Sequence, residues 1–257
     1  MLVIRKLLSI VYEIFRNSKV IKKTGTMRKI LIGLSAGAAL LFGTASTFAA
    51  DGFGVGVALS VAGISASGTE TEGTATAAGE TNSGGASNRV LIGSVFAEYT
   101  KGLFTVGVDY VPFDADISDA TRTRTDTETS VTDTATHTTT SRTQTAQAEI
   151  TDHTTAYIEV GNNVYLKAGY VQVTVNTKES LGTGSSYGNA DLNGTLVGAG
   201  FRGGGDSGLY YKLEGTYTDY DTLNLTSTVA RTDVTTNNKI SADLDVTQVK
   251  LGLGYRF

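Results

Sequence analysis

The chain has 257 residues, a formal charge of −4, 31 glycines, one proline and no cysteine. Without cysteine there is no disulfide framework, no thiol nucleophile, no Cys-based metal site and no lipid-modified Cys anchor. At 40% hydrophobic residues the chain as a whole is not a disordered polymer; no run reaches the roughly 18 apolar residues of a membrane-crossing helix, a test to which membrane β-strands are nearly silent.

In chain order, the first recognisable unit is MRK at 27–29, followed by the apolar stretch 30–43 and then TASTFAAD. A basic start, an apolar core of about 7–15 residues and small residues before a cut describe a secretory signal peptide. The order of parts predicts a signal-peptide helix over 27–49 with cleavage after Ala49, where Thr47 is the small residue two positions earlier. A short buried helix is the competing reading. Residues 1–26 have no place in this scheme and read as a mis-assigned start, with Met27 the true first residue, or as an extended leader. Residues 1–49 hold eight Lys/Arg and one acid, a net of +7, which leaves −11 for the exported remainder. A chain so acidic is a poor partner for nucleic acid, whose phosphates need a basic surface.

From residue 50 onward, runs with period-two alternation give way to breaks rich in Gly, Ser, Thr and Asn. The alternation predicts strands at 52–65, 89–99, 103–112, 148–160, 164–175, 192–202, 209–219 and 244–257. Each has about the length that a tilted strand needs to cross a hydrocarbon layer. The breaks come in two lengths, strictly in turn. After the second, fourth and sixth strands they are short: TKG at 100–102, GNN at 161–163 and GGGDS at 203–207. Gly and Asn there tolerate the positive φ of tight hairpins. The other four breaks, at about 66–88, 113–147, 176–191 and 220–243, are long and polar. Soluble sandwiches also alternate, but have no reason to sort their connections by length. Short turns at one end and long loops at the other are the arrangement of an outer-membrane barrel, its short turns in the periplasm. The predicted fold is therefore all-β: an eight-stranded, up-and-down antiparallel transmembrane barrel over 50–257.

A charge turned toward lipid costs about 2–4 kcal/mol near the midplane, so mid-strand charges must point into the barrel. That rule places Glu98, Asp109, Glu159, Lys167, Lys212, Glu214 and Lys250 in the lumen, with Arg202 and Arg256 near the short-turn mouth. The residues left facing outward include aromatics gathered at strand ends. Phe53, Tyr99, Phe104, Phe201 and Tyr211 fall beside the short turns, and Tyr110 and Tyr217 toward the other end, forming two girdles at the headgroup boundaries. Strand 164–175 fits only in part: Val171 and Val173 would point inward while Gln172 and Thr174 face lipid. A bulge near Tyr170 or an early exit from the membrane would each repair it.

Eight strands enclose room for side chains and not for an aqueous channel. Charges of both signs in so narrow a space should pair, which predicts a lumen filled by ion pairs and a small or absent conductance. A selectivity ring is the alternative, although such rings usually carry one dominant sign. Residues 121–145, TRTRTDTETSVTDTATHTTTSRTQT, hold 13 threonines in 25 positions. Threonine at every second position from 121 to 129 suits a sheet wet on both faces, and predicts that the third and fourth strands continue beyond the membrane as a protruding hairpin that folds back near 133–137; a disordered low-complexity loop is the competitor. No phosphate-cradle, dinucleotide or zinc pattern occurs, so no cofactor or metal is expected. His153 is the one plausible catalytic base, with Thr and Ser neighbours but no triad spacing.

The last strand closes on LGLGYRF, with Val249, Leu251, Leu253, Tyr255 and Phe257 on one face. A signal peptide, eight alternating strands, three short turns, four long loops and a terminal Phe together resemble the small OmpA/OmpX-type outer-membrane barrels. The resemblance covers about 50–257 and is architectural. It implies residence in the outer membrane of a Gram-negative bacterium, in contact with outer-membrane lipid. It also implies that Leu251, Leu253, Tyr255 and Phe257 present an assembly signal to the barrel-insertion machinery, with Phe257 as its anchor. The expected function is structural or a cell-surface interaction, with the extracellular partner unknown. A small porin for passive solute diffusion is the second reading, an outer-membrane enzyme the third and a soluble secreted sandwich the fourth.

Overall fold

The computed structural model describes residues 51–71, 81–117, 122–130, 138–179, 186–204, 208–228 and 237–257. The leader expected at 1–26, the signal segment expected at 27–49 and the fold-back expected near 133–137 lie outside the described residues. Twelve strands are described: β1 (Gly52–Thr71), β2 (Thr81–Lys101), β3 (Phe104–Val111), β4 (Ala115–Asp116), β5 (Arg122–Ser130), β6 (Thr138–Ala146), β7 (Ala148–Gly161), β8 (Val164–Thr177), β9 (Ala190–Gly204), β10 (Gly208–Tyr220), β11 (Leu223–Thr226) and β12 (Lys239–Arg256). Eight of them run in the order β1-β2-β3-β7-β8-β9-β10-β12, every neighbour antiparallel, and β12 returns to pair with β1. The closing ladder runs from Gly54 opposite Arg256 to Thr71 opposite Lys239. The sheet is a closed barrel, and closure satisfies the backbone groups of both outermost strands.

The wall extends farther than the alternation predicts. Much of the expected loop at 66–88 is strand, with Gly68 opposite Gly84 and Thr71 opposite Thr81. The segment 113–147 holds β4, β5 and β6, and 220–243 holds β11 and the start of β12. The 66–71 and 81–88 ladder is built largely from Gly, Ala, Ser and Thr, which pair freely yet carry too little hydropathy contrast to mark a face. The threonine-rich segment is the expected hairpin, Arg122 opposite Ala146 through Ser130 opposite Thr138. It forms a sheet of its own, and does not prolong β3 and β7 as expected.

The two faces of the wall exchange character part-way along. On β1 the outward Phe53, Val55, Val57, Leu59 and Val61 are exposed, a belt suited to acyl chains. Beyond Val61 the outward positions become Gly63, Ser65, Ser67 and Thr69, while the inward Ala62 and Ile64 are buried. The exchange recurs around the barrel: at Leu91 and Ile92 on β2, at Tyr170 and Val171 on β8, at Val197 and Leu196 on β9, and at Val249 and Val246 on β12. Toward the short turns the wall is apolar outside and polar inside. Toward the long loops it is polar outside and closes on an apolar core that includes Ile64, Ile92, Val171, Val173, Leu196 and Val246. This explains Val171 and Val173, both 0% exposed: β8 keeps its register across Tyr170 and simply leaves the belt. A register irregularity lies on β7 instead, between Thr151 and Thr154, where Asp152 adopts a φ of 52°. Leu196→Ala removes a buried side chain from this core, and should lower the unfolding free energy by about 2–5 kcal/mol, read from urea titration of the refolded barrel in lipid.

Two features finish the long-loop end. The β2–β3 ladder stops at Val95 opposite Tyr110, two residues before Pro112, the chain's one proline, which has no N–H to donate. Above the break the Asn88 side-chain amide donates to the Asp116 carbonyl at 3.0 Å, tying β4 back to β2. Across the mouth, the β8–β9 connection reaches β1, which lies four strands from β8 in either direction around the barrel. There the Tyr187 hydroxyl donates to Glu70 Oε1 at 2.8 Å. Burial and the Glu70 carboxylate hold this phenol above its ordinary pKa. The Thr228 amide donates to the Ser186 carbonyl at 2.8 Å, joining a second connection to the same cap.

Candidate functional site

The short-turn half of the lumen gathers the mid-strand charges that parity sends inward. Glu98, Asp109, Glu159, Lys167, Lys212, Glu214 and Lys250 are all buried there, with Arg202 and Arg256. Glu159, fully shielded, is the centre: Lys212 Nζ donates to Oε1 at 2.6 Å, Arg202 Nη2 donates to Oε2, and Lys167 Nζ stands 3.5 Å from Oε1. Lys212 also reaches Glu98 at 2.8 Å and Glu214 at 3.1 Å. Lys167 donates to both oxygens of Glu214, at 3.2 and 3.0 Å. Lys250 pairs with Asp109 Oδ2 at 2.8 Å, and Ser94 donates to the same oxygen at 3.2 Å. Around Glu159, Glu98 and Glu214 each carboxylate meets several cations or donors, the condition under which burial of ions is tolerated.

Three tyrosines belong to this network that parity arguments about charge alone pass over. Tyr157 and Tyr210 donate to Glu98 at 3.0 Å each, and Tyr165 donates to Glu214 at 2.7 Å. Their rings also face cations: Lys167 Nζ lies 3.7 Å from the Tyr157 centroid, Arg202 lies 4.9 Å from that of Tyr165, and Arg256 lies 4.7 Å from that of Tyr210. Glycines make the room. A Cβ at Gly107 would meet the Tyr157 hydroxyl at 2.5 Å, and one at Gly200 the Tyr165 hydroxyl at 2.5 Å. The signal was present in the sequence: Tyr157 and Tyr165 share the inward parity of Glu159 and Lys167, and Tyr210 that of Lys212.

Above the ion pairs the lumen passes to neutral groups and then to hydrocarbon. Gln248 donates to Ser60 Oγ at 2.7 Å, and Ser60 donates to the Ile92 carbonyl at 3.2 Å. A cavity of about 20 Å³ at this level is lined by Ile64, Val111, His153, Tyr220 and Gln248 among others, room for one water. His153 Nε2 is 3.4 Å from Thr155 Oγ1. Buried charges, most of them paired, thus occupy the short-turn half of the lumen and an apolar core the other half. Filling by ion pairs throughout was the sequence expectation; inward-facing valines, isoleucines and leucines replace them in the exchanged half, whose outer face is polar.

On the outer surface, Phe53, Tyr99, Phe104, Tyr110 and Tyr211 are exposed, while Phe201 and Tyr217 are half-buried. Phe201 lies against Tyr211, ring centroids 6.0 Å apart. Leu251, Leu253, Tyr255 and Phe257 form one exposed outward row. Phe257 stacks on Phe53 at 6.5 Å and meets Tyr255 edge-on at 5.1 Å, so the aromatic ends of β1 and β12 form a single patch.

No protein-family model and no curated protein matches the sequence. Among solved structures, the chain is similar to the outer membrane protein OprG of Pseudomonas aeruginosa at 10% identity, covering 81% of this chain and 97% of that one, with a TM-score of 0.43. It is similar to Ail, the attachment invasion locus protein of Yersinia pestis, at 14% identity over 79% and 99% of the two chains, TM-score 0.33. It is similar to Neisserial surface protein A at 12% identity over 78% and 99%, TM-score 0.33. The fold assignment itself stands on the closed β1–β12 ladder.

Proposed function

We propose that this chain is an integral outer-membrane barrel that conducts no solute, and that its work is structural or a cell-surface interaction made by the long-loop end. The observation that carries the reading is the filled lumen: ion pairs centred on Glu159 in one half, an apolar core in the other, and the Tyr187 cap across the mouth. The apolar belt supports a lipid environment, and the outward row Leu251, Leu253, Tyr255 and Phe257 supports recognition by the insertion machinery during assembly. The reading is non-catalytic. Planar-bilayer recording of the refolded protein should show no steady large conductance, and protease added to intact cells should cut within the long connections while leaving the barrel. A stable open channel would favour the porin reading; full protection of the loops on intact cells would remove the surface role.

A further inference from the structure

We propose that the short-turn mouth of the barrel holds a small oxyanion, a carboxylate or phosphate group, on the Nε/Nη2 edge of Arg256. The buried lumen charges among the described residues are five cations, Lys167, Arg202, Lys212, Lys250 and Arg256, against four carboxylates, Glu98, Asp109, Glu159 and Glu214. Among these buried groups the cations exceed the carboxylates by one, and an unbalanced buried charge is costly. The surplus localises to Arg256. Its residue is 3% exposed, yet its Nε and Nη2 are buried with no hydrogen bond. The carboxylate it approaches is Glu98, with Oε1 3.8 Å from Nη2, too far for a hydrogen bond. Glu98 is moreover already engaged by Tyr157, Tyr210 and Lys212.

The two idle donors form one side of the guanidinium plane, the parallel pair that binds a carboxylate or phosphate through two oxygens at once. Tyr210 supports the group from one face, at 4.7 Å. Arg256 stands opposite Gly54 on β1 and Gly208 on β10, and the Tyr210 ring lies over Gly54. Arg202 contributes a second buried donor without a partner, its Nε, and so adds to the positive field of the same half of the lumen.

The test uses the full-length barrel refolded in detergent, with chloride replaced by acetate or phosphate at fixed ionic strength. The midpoint of the heat-induced gel shift should rise and saturate with acetate or phosphate. Arg256→Lys keeps the charge but loses the fork, and should raise the half-saturating concentration about tenfold or more. Glu98→Gln removes the competing carboxylate and should lower it, an effect opposite in sign to that of a merely structural contact. A midpoint that ignores the oxyanion, or that shifts equally in wild type and Arg256→Lys, overturns the proposal. Where Arg256→Lys does not refold, carbon-13 acetate line broadening by wild type and Glu98→Gln decides: broadening that is stronger with Glu98→Gln supports the site, and its absence with both removes it.

Discussion

Glu159→Leu should lower the unfolding free energy of the barrel by about 3–5 kcal/mol. The reason is the number of cations that this one carboxylate serves. Lys212 retains Glu98 and Glu214 after the change, and Lys167 retains Glu214. Arg202 keeps its hydrogen bond to Thr105 at 3.1 Å and its place over the Tyr165 ring, and becomes a buried ion with no ion-paired carboxylate. The loss measures an orphaned charge and not the net value of the network. The double variant Glu159→Leu with Arg202→Met removes the orphan, and should recover most of the stability, because an apolar pair of similar volume is often no worse than a buried ion pair. Urea unfolding followed by intrinsic tyrosine fluorescence compares the two. If the double variant is as unstable as the single one, ion pairing is not what holds this half of the barrel.

The second large effect distinguishes the two halves of the wall from outside. Leu59 lies in the outward belt between Leu251 and Gly93, and Leu59→Arg places a charge among acyl chains at a cost of about 2–4 kcal/mol. Ser67 is also outward, on the same strand and the same parity, beyond the point where the faces exchange. Ser67→Arg should cost about 0–1 kcal/mol. Folding titrations into vesicles read both. Equal costs at the two positions would place the hydrocarbon boundary elsewhere, and would remove the reading of the long-loop half as a water-bathed extension of the barrel.

The sequence carried the barrel clearly where lipid imposes a rule. Mid-strand charges such as Glu159 and Lys212 have one affordable direction in an acyl environment, so their inward placement followed from parity. The sorting of Lys101–Phe104 and Gly161–Val164 into tight turns followed from Gly and Asn. Beyond the belt that rule lapses. Val171 and Val173 looked like a fault in β8 because the alternation keeps its period while the apolar residues move from even to odd positions; hydropathy reports the period and not the change of solvent that causes it. The ladder from Ser65 to Thr71 against Thr81 to Ser87 was invisible for a plainer reason, since side chains this small and polar mark neither face. The tyrosines of the lumen were missed because an aromatic in a membrane strand is read first as an interface residue. Only the glycine opposite, Gly107 for Tyr157 and Gly200 for Tyr165, reveals that the ring has space to turn inward.

The pairing of β1 with β12 joins the two extremes of the described chain, Gly54 with Arg256. Contacts so remote in sequence demand the greatest loss of chain entropy before they repay it. Until β12 arrives, the hydrogen-bonding edge of β1 has no partner in the sheet, and an escort that shields that edge should speed closure.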